Sequence, residues 1–451
     1  MEQFYLENIP KYHSLVGALD PCPKPRISKG VPGPNMVVSA RIRPRPKNER
    51  FPSATFPRSN QENVLDIHDL YNHPRGIPIL RSNNYEVDRL FHANSTTEEI
   101  YEDLVANLVP FAWDGGIGTL FAYGQTGSGK TFTVSRLEEL VAETLMSGNL
   151  EGEREIYMTI IDLAGNAAFD LLSNREPISL LEDSSGNTQM VGAVEHQVFN
   201  MEDMRALIEQ ATPFRRTAPT LKNPTSSRSH AICRIRIWNG ADCSDGSLYL
   251  IDLAGSEAAR DVATHGADRM LETRQINVSL SVLKDCIRGK ALADTVTSLD
   301  REKLGRKLPH IPFRQSALTR VLKHVFDPAG ARACRTVVIA CINPSLADVG
   351  PTKNTLRFAE MLRVLEPATN ETSADRTSAI QWTNTQLREW IRANCGTPAI
   401  LDRVVAPRES GAQLFKLSSI EIEYRCRQCP GVKLEQAKAF RCKLWQMYIV
   451  S

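Results

Sequence analysis

The stretch "FAYGQTGSGKT", Phe121 to Thr131, limits what this chain can fold into more than any other. An apolar run, "GTLFAYG", enters it, and a helical pattern, "FTVSRLEELV", leaves it. Gly124-x-x-x-x-Gly129-Lys130-Thr131 is the spacing at which glycines let the backbone curl until its N–H groups face a phosphate. Lys130 supplies a cation for the terminal phosphates and Thr131 a hydroxyl for a magnesium ion. Gly124, Gln125, Thr126, Gly127, Ser128, Gly129, Lys130 and Thr131 are therefore the candidate nucleotide-binding loop. A strand before it and a helix after it distinguish it from a chance glycine-rich turn.

A loop of this kind sits at the end of a buried strand, and the surrounding chain supplies the rest of a sheet. From Met36 to about Leu365, short β-branched runs ("MVVSARI", "REIYMTII", "AICRIRIW", "SLYLIDL", "RTVVIACI") alternate with helical patterns such as "TTEEIYEDLVANLV" and "MEDMRALIEQA". That alternation predicts an α/β domain, a sheet with helices on both faces. At 451 residues the chain exceeds one ordinary domain. We divide it into an N-terminal extension and linker (1–35), the α/β domain (36–365), a polar flexible linker (366–380) and a small helical domain (381–451).

Composition narrows the partners. Hydrophobic residues at 42% and charged residues at 24% describe a soluble globular protein, and a net charge of +2 offers no general attraction to nucleic acid. Ten cysteines scattered from Cys22 to Cys442 suit a reducing compartment. Cys426-x-x-Cys429 lacks the second pair of a zinc ribbon and reads as two reduced thiols. The N-terminus has no basic and apolar regions of a signal peptide. No apolar run approaches the roughly 20 residues of a membrane span. The expectation is an intracellular protein without a membrane span or nucleic-acid partner.

A phosphate loop needs a second aspartate at a strand end to complete the metal shell. Two copies of D-L-A-G compete for that place, at Asp162 and at Asp252. Gly255 after the second leads into polar Ser256 and Glu257, whereas the first runs into the packing sequence "NAAFDLL". That contrast favours Asp252. "NPTSSRSHA" adds Asn223, Ser226, Ser227, Arg228, Ser229 and His230 just before a strand, a set suited to closing over phosphate and metal.

Together these stretches resemble the kinesin motor domains. "ARIRP", "FAYGQTGSGKT", "NPTSSRSH", "LIDLAGSE", "INVSLSVLKDCI", "HIPFRQSALTRVL" and "NTLRFAEMLRVL" occur in the family's order between about 36 and 365. The resemblance implies a mixed central sheet with helices on both faces, and a microtubule-stimulated ATPase using ATP and magnesium. It implies that Thr131 and Ser227 hold the metal, with Asp252 acting through water. Gly255 would sense the terminal phosphate, Ser226 would position the attacking water, and Arg228 and Glu257 would pair to latch the two loops. Arg41 and Pro44 would flank the adenine. The first D-L-A-G falls where the family has a structural strand ending in D-L-L, here Asp170-Leu171-Leu172.

"LKDCIR" and "LLEDSSGNTQMVGA" lean towards the internal-motor class, kinesin-13. That class's Lys-Val-Asp tip is absent from "DIHDLYNHPRGIPILRSNN", and Ala317 and Val278 stand where the family usually carries lysines. Movement along microtubules and their depolymerisation both stay open. The tubulin-facing candidates are Lys284, Asp285, Arg288, Lys303, Arg306, Lys307, His310, Arg314 and Arg320. Between Arg301 and Arg335, nine Lys/Arg stand against two Asp/Glu, which suits an acidic partner. The tail, "WTNTQLREWIRANCG" to "LEQAKAFRCKLWQMYIV", is similar to a sterile-alpha-motif (SAM) domain and would supply a second protein contact. A helical cap on the motor is the competing reading. The implied location is the cytoplasm and microtubule cytoskeleton, with the spindle included. The alternative function is a kinesin-fold tubulin-binding scaffold with weak or no ATPase. A P-loop GTPase would need an Asn/Thr-Lys-x-Asp motif, which the chain lacks.

Overall fold

The structure, a computed structural model, describes residues 2–19, 26, 31–32, 35–74, 76–183, 188–216, 229–240, 245–256, 267–295, 310–326, 332–363, 365–366, 382–414, 417 and 419–450. The chain divides into two compact units, Met1–Pro367 and Ala368–Ser451.

In the first unit, helices α1 (Glu2–Glu7) and α2 (Ile9–Gly17) precede strand β1 (Met36–Ile42). Strands β2 (Thr55–Pro57), β3 (Val64–Asn72) and β4 (Pro78–Glu86) form a separate antiparallel sheet. Then come β5 (Arg89–Phe91), α3 (Thr97–Ile100), α4 (Leu108–Trp113), β6 (Ile117–Tyr123) and α5 (Lys130–Leu145). They are followed by β7 (Glu155–Ala164), β8 (Ala167–Asp170), β9 (Glu176–Glu182), β10 (Thr188–Val191) and β11 (His196–Val198). Helix α6 (Met201–Arg216), strands β12 (His230–Trp238) and β13 (Gly246–Asp252), and the long helix α7 (Ala267–Thr295) come next. Helices α8 (Ala317–Val321) and α9 (Lys323–Phe326), strand β14 (Cys334–Ile342) and helix α10 (Val349–Leu362) complete the unit.

The main sheet runs in the order β10-β9-β8-β7-β12-β13-β6-β14-β1-β5, with β11 also paired to β7. The half from β13 to β5 is parallel, and the half from β12 to β10 is antiparallel. Every residue of β6 is buried, as expected of a parallel strand covered on both faces. Alternate residues feed two cores. Phe121, Val338, Ala340 and Ile161 face α7 to α10, while Leu120, Ala122, Ile339 and Ile160 face α3 to α6. The expected mixed α/β architecture is therefore present.

Three stretches differ from the sequence reading. "TTEEIYEDLVANLV" is not one helix. Thr96 and Glu99 form a capping box that starts α3, after which the backbone widens into a π turn over Tyr101–Val105. Pro110 has no N–H to bond back along the helix, so a new first turn, α4, begins at Leu108. Residues 2–17, read as part of an extension, are helical and contribute Tyr5 and Tyr12 to the first core. The Tyr12 hydroxyl donates towards the carbonyls of Ser53 (2.9 Å) and His68 (3.2 Å), and Tyr5 donates to Asp69 Oδ1 at 3.2 Å. Within the expected linker, Val31–Pro32 pairs antiparallel with Leu365–Glu366.

The second unit comprises α11 (Asn384–Asn394), α12 (Asp402–Val405), α13 (Gly411–Leu414), α14 (Ser419–Arg427) and α15 (Leu434–Val450). Thr383 and Gln386 cap α11 reciprocally. Leu387, Ile391, Val405, Leu414, Ile422 and Phe440 form its core. Cys426 and Cys429 are buried there, and burial pushes the Cys426 thiol up to about 12. Cys429 Sγ accepts the Leu401 N–H at 3.2 Å. Among the described residues, no helix is long and apolar enough to cross a membrane.

Candidate nucleotide site

The loop between β6 and α5 has the curled backbone its glycines permit. Gly127 and Gly129 have φ of 75° and 99°, a region costly for residues with a Cβ. At Gly124 a Cβ would lie 2.2 Å from the Cys341 carbonyl oxygen, so the loop is seated directly on β14. Lys130 is 6% exposed, and its Nζ donates to the carbonyls of Gly124 (2.9 Å) and Gln125 (3.0 Å), across the mouth of the loop. Ser128 closes the turn by donating its hydroxyl to the Gln125 carbonyl at 2.8 Å.

Asp252 ends β13, the parallel neighbour of β6. Its Oδ2 accepts the Thr131 hydroxyl at 2.7 Å. The following loop folds back on the phosphate loop, where the Ser256 N–H donates to the Gly124 carbonyl at 3.1 Å. Gly255 is buried between them. Two hard oxygen donors beside a cation and a glycine cradle fit a magnesium–triphosphate group.

The first D-L-A-G lies in the same row of the sheet. Asp162 and Asp252 both register with Ala231, on opposite sides of β12. Two strand spacings, roughly 10 Å, separate them. Asp162 Oδ2 meets Arg175 at 3.2 Å instead of the phosphate loop, and Arg175 lies over the Phe169 ring. The turn after Asp162 packs towards α7 and α8. A Cβ on Gly165 would strike Gln275, and Asn166 Oδ1 accepts the Ala317 N–H at 3.1 Å.

Arg41 is 7% exposed and donates to Thr133 Oγ1 at 2.9 Å, beside the exposed Phe132 ring. Pro44 is exposed at the end of the same strand region. The sequence reading passed over Phe132 and Arg43. Arg43 donates to the Gly127 carbonyl and so lies against the phosphate loop. Phe132 is 70% exposed next to Thr131, an exposure that its sequence neighbours do not signal. Ser226, Ser227, Arg228 and Glu257 lie outside the described residues, as do Lys303, Arg306 and Lys307.

Of the proposed partner-facing residues, Lys284 is half-buried and Asp285 and Arg288 are exposed on α7. Ile276, Leu280, Leu283 and Ile287 form that helix's buried stripe, and Leu271, Arg274, Val278, Ser281, Asp285 and Arg288 its exposed one. His310 is exposed. Arg314 is exposed but doubly bonded to Glu182 at 2.8 Å, and Arg320 reaches the Leu180 carbonyl. Ala317 is fully buried, so its side chain is no part of the surface.

A profile of the Kinesin motor domain matches residues 41–365. The chain is 33% identical over 340 residues to diatom spindle kinesin-1 of Cylindrotheca fusiformis, covering 74% of this chain and 52% of that protein. It is 31% identical over 342 residues to the kinesin-like protein KIN-13B of Arabidopsis thaliana, covering 72% and 47%. The chain thus spans about half the length of these curated relatives. Among solved structures, the motor and motor-homology domains of Kar3Vik1 on a synthetic coiled coil align with TM-score 0.60 and 27% identity, over 73% of this chain and 85% of that one. A KIF14 dimer with AMP-PNP on a microtubule aligns with TM-score 0.58 over 73% and 94%, and at 24% identity speaks for the fold alone. The match over most of the chain and the motifs gathered at one end of this sheet have a single reading: the chain belongs to the kinesin motor-domain family.

Proposed function

We propose that this chain is a microtubule-binding motor that hydrolyses ATP, and that residues 36–365 are the unit that does so. The observation that carries the reading is the Thr131–Asp252 contact beside Lys130, which brings two separate motifs to one point. Lys130 would exchange its loop carbonyls for phosphate oxygens, and the loop N–H groups would hold the remaining charge. Thr131, Ser227 and Asp252 would hold magnesium, which offsets charge on the terminal phosphates. Arg228 and Glu257 would latch the two loops, Ser226 would position water, and Arg41, Pro44 and Phe132 would flank the base. Likeness to KIN-13B and the "LKDCIR" segment support a kinesin-13 character. The capped helix α11, the Gly411–Leu414 turn and the long α15 support a SAM-like protein-binding tail. The spindle kinesin among the relatives supports a place on the microtubule cytoskeleton.

The test is phosphate release with and without microtubules, together with co-sedimentation across a salt series. Replacing Lys303, Arg306 and Lys307 with Ala should weaken binding most at low salt, because charge attraction through solvent is screened over about 10 Å at 0.1 M. Basal release should persist. Binding without phosphate release would point instead to a tubulin-binding scaffold. Protein that ignores microtubules at every salt concentration would overturn the motor reading.

A further inference from the structure

A chain of hydrogen bonds runs from the candidate site into helix α7 without reaching solvent. Ala254, two residues beyond Asp252, donates its backbone N–H to His230 Nδ1 at 3.1 Å. On the other side of the ring, Nε2 lies 2.8 Å from Ser279 Oγ. The Ser279 hydroxyl in turn donates to the Ile276 carbonyl at 2.7 Å. His230 is 1% exposed and Ser279 3%.

The partners fix the tautomer. Because Nδ1 accepts from a peptide N–H, the proton sits on Nε2 and is donated to Ser279. Burial, reinforced by the Lys130 charge, holds the ring neutral, with its pKa down at about 3. The imidazole is therefore a fixed bridge with one accepting and one donating end.

Its position gives the bridge a purpose. His230 opens β12 immediately after the "NPTSSRS" stretch, and Ala254 belongs to the loop whose Ser256 is bonded to Gly124. Ser279 lies on α7, whose outer face carries Asp285 and Arg288. A peptide shift at 254 on phosphate binding must either break the bond to His230 or push the ring against Ser279. Close packing leaves no slack between these groups to absorb the movement.

We propose that His230 is a positioning residue that couples the nucleotide loop to α7, with Ser279 as its receiving group. The proposal rests on the motor reading for its purpose, but its first test needs no microtubules. Amide hydrogen exchange would be followed on the full chain with and without AMP-PNP. In the unaltered protein, nucleotide should change exchange both in the phosphate loop and in α7. Ser279→Ala and His230→Gln should keep the phosphate-loop response and lose the α7 response. Ser279→Thr, which keeps the hydroxyl, should restore it.

In phosphate-release assays, Ser279→Ala should keep basal turnover while its microtubule stimulation falls about tenfold, the scale of one buried hydrogen bond. The double variant should be no worse than either single, because the two groups share one link. If His230→Gln fails to fold, the Ser279 pair carries the test alone. An α7 response retained in Ser279→Ala, or missing from the unaltered protein, would overturn the coupling. Absent microtubule stimulation with an intact, Ser279-dependent α7 response would overturn the motor reading and leave the coupling standing.

Discussion

Thr131 and Asp252 lie 121 positions apart, yet the threonine hydroxyl donates to Asp252 Oδ2 at 2.7 Å. The contact depends on β6 and β13 lying side by side and parallel, so that the loop leaving one strand meets the last residue of the other. Magnesium prefers such hard oxygen donors and keeps several waters of its own. The pair is where the proposed metal shell would be anchored, and the two D-L-A-G copies can be separated by experiment.

Asp252→Asn should lower magnesium-dependent phosphate release by about 10²–10³-fold, the usual scale for losing a group that organises transition-state charge. Its thermal stability should change little. Asp162→Asn should do the reverse, retaining hydrolysis while weakening the bond to the partly exposed Arg175 at a cost of about 0.5–1.5 kcal/mol. Phosphate release and thermal unfolding measured on both variants decide the matter. An inactive but stable Asp162 variant would show that the wrong copy had been chosen.

The loop glycines should differ sharply. Gly124→Ala puts a methyl group 2.2 Å from the Cys341 carbonyl, so the loop must lift from β14, and both nucleotide affinity and folding should suffer. Around Gly127 the nearest atom is Arg43 Nη1 at 3.7 Å, so Gly127→Ala meets only the backbone penalty of positive φ, about 1–2 kcal/mol. Nucleotide titration and denaturant unfolding would rank the two. A ranking in the opposite order would contradict the seating of Gly124.

The N-terminal helices should behave as part of the motor unit. Tyr12 is 1% exposed, so Tyr12→Ala should cost about 3–5 kcal/mol, whereas Tyr12→Phe should lose only its hydroxyl contacts, about 0.5–1.5 kcal/mol. Denaturant midpoints provide the measurement. Removal of residues 2–17 without any loss of stability would show that these helices contribute nothing to the core.

His230 should make stability depend on pH. Unfolded histidine takes up a proton below about pH 6.5, whereas this ring is held down to about 3 by burial and then by Lys130. In that window the unfolded chain binds more protons, so the contribution is complete above about 6.5 and is lost as pH falls towards 3. The slope for one such group approaches about 1.4 kcal/mol per pH unit. His230→Gln should flatten the unfolding profile by that amount between about pH 6 and pH 4. Parallel profiles for the two proteins would refute the assignment.

Some features were local enough to read directly. The Gly124–Thr131 loop announces itself because its chemistry is confined to consecutive residues. The fully buried β6 shows as an unbroken run without charge. Phe132, Arg43 and the Ala254–His230–Ser279 bridge escaped notice because nothing in their immediate neighbours marks them. Each acquires meaning only from a partner brought near by strand pairing.

The two aspartates mark the division between sequence and tertiary structure. Their identical letters, apolar approach and following glycine are properties of sequence, and the polar continuation after Gly255 already distinguished the second copy. Both then enter the sheet at the level of Ala231, about two strand spacings apart. Only the order of strands put β13 next to the phosphate loop and left Asp162 to Arg175. The same holds for Arg314, a tubulin-facing candidate in the sequence reading whose charge Glu182 takes up from 132 positions away. Residue type fixes what a group can do, but its partner is chosen by long-range strand register and packing, which short-range spacing does not encode.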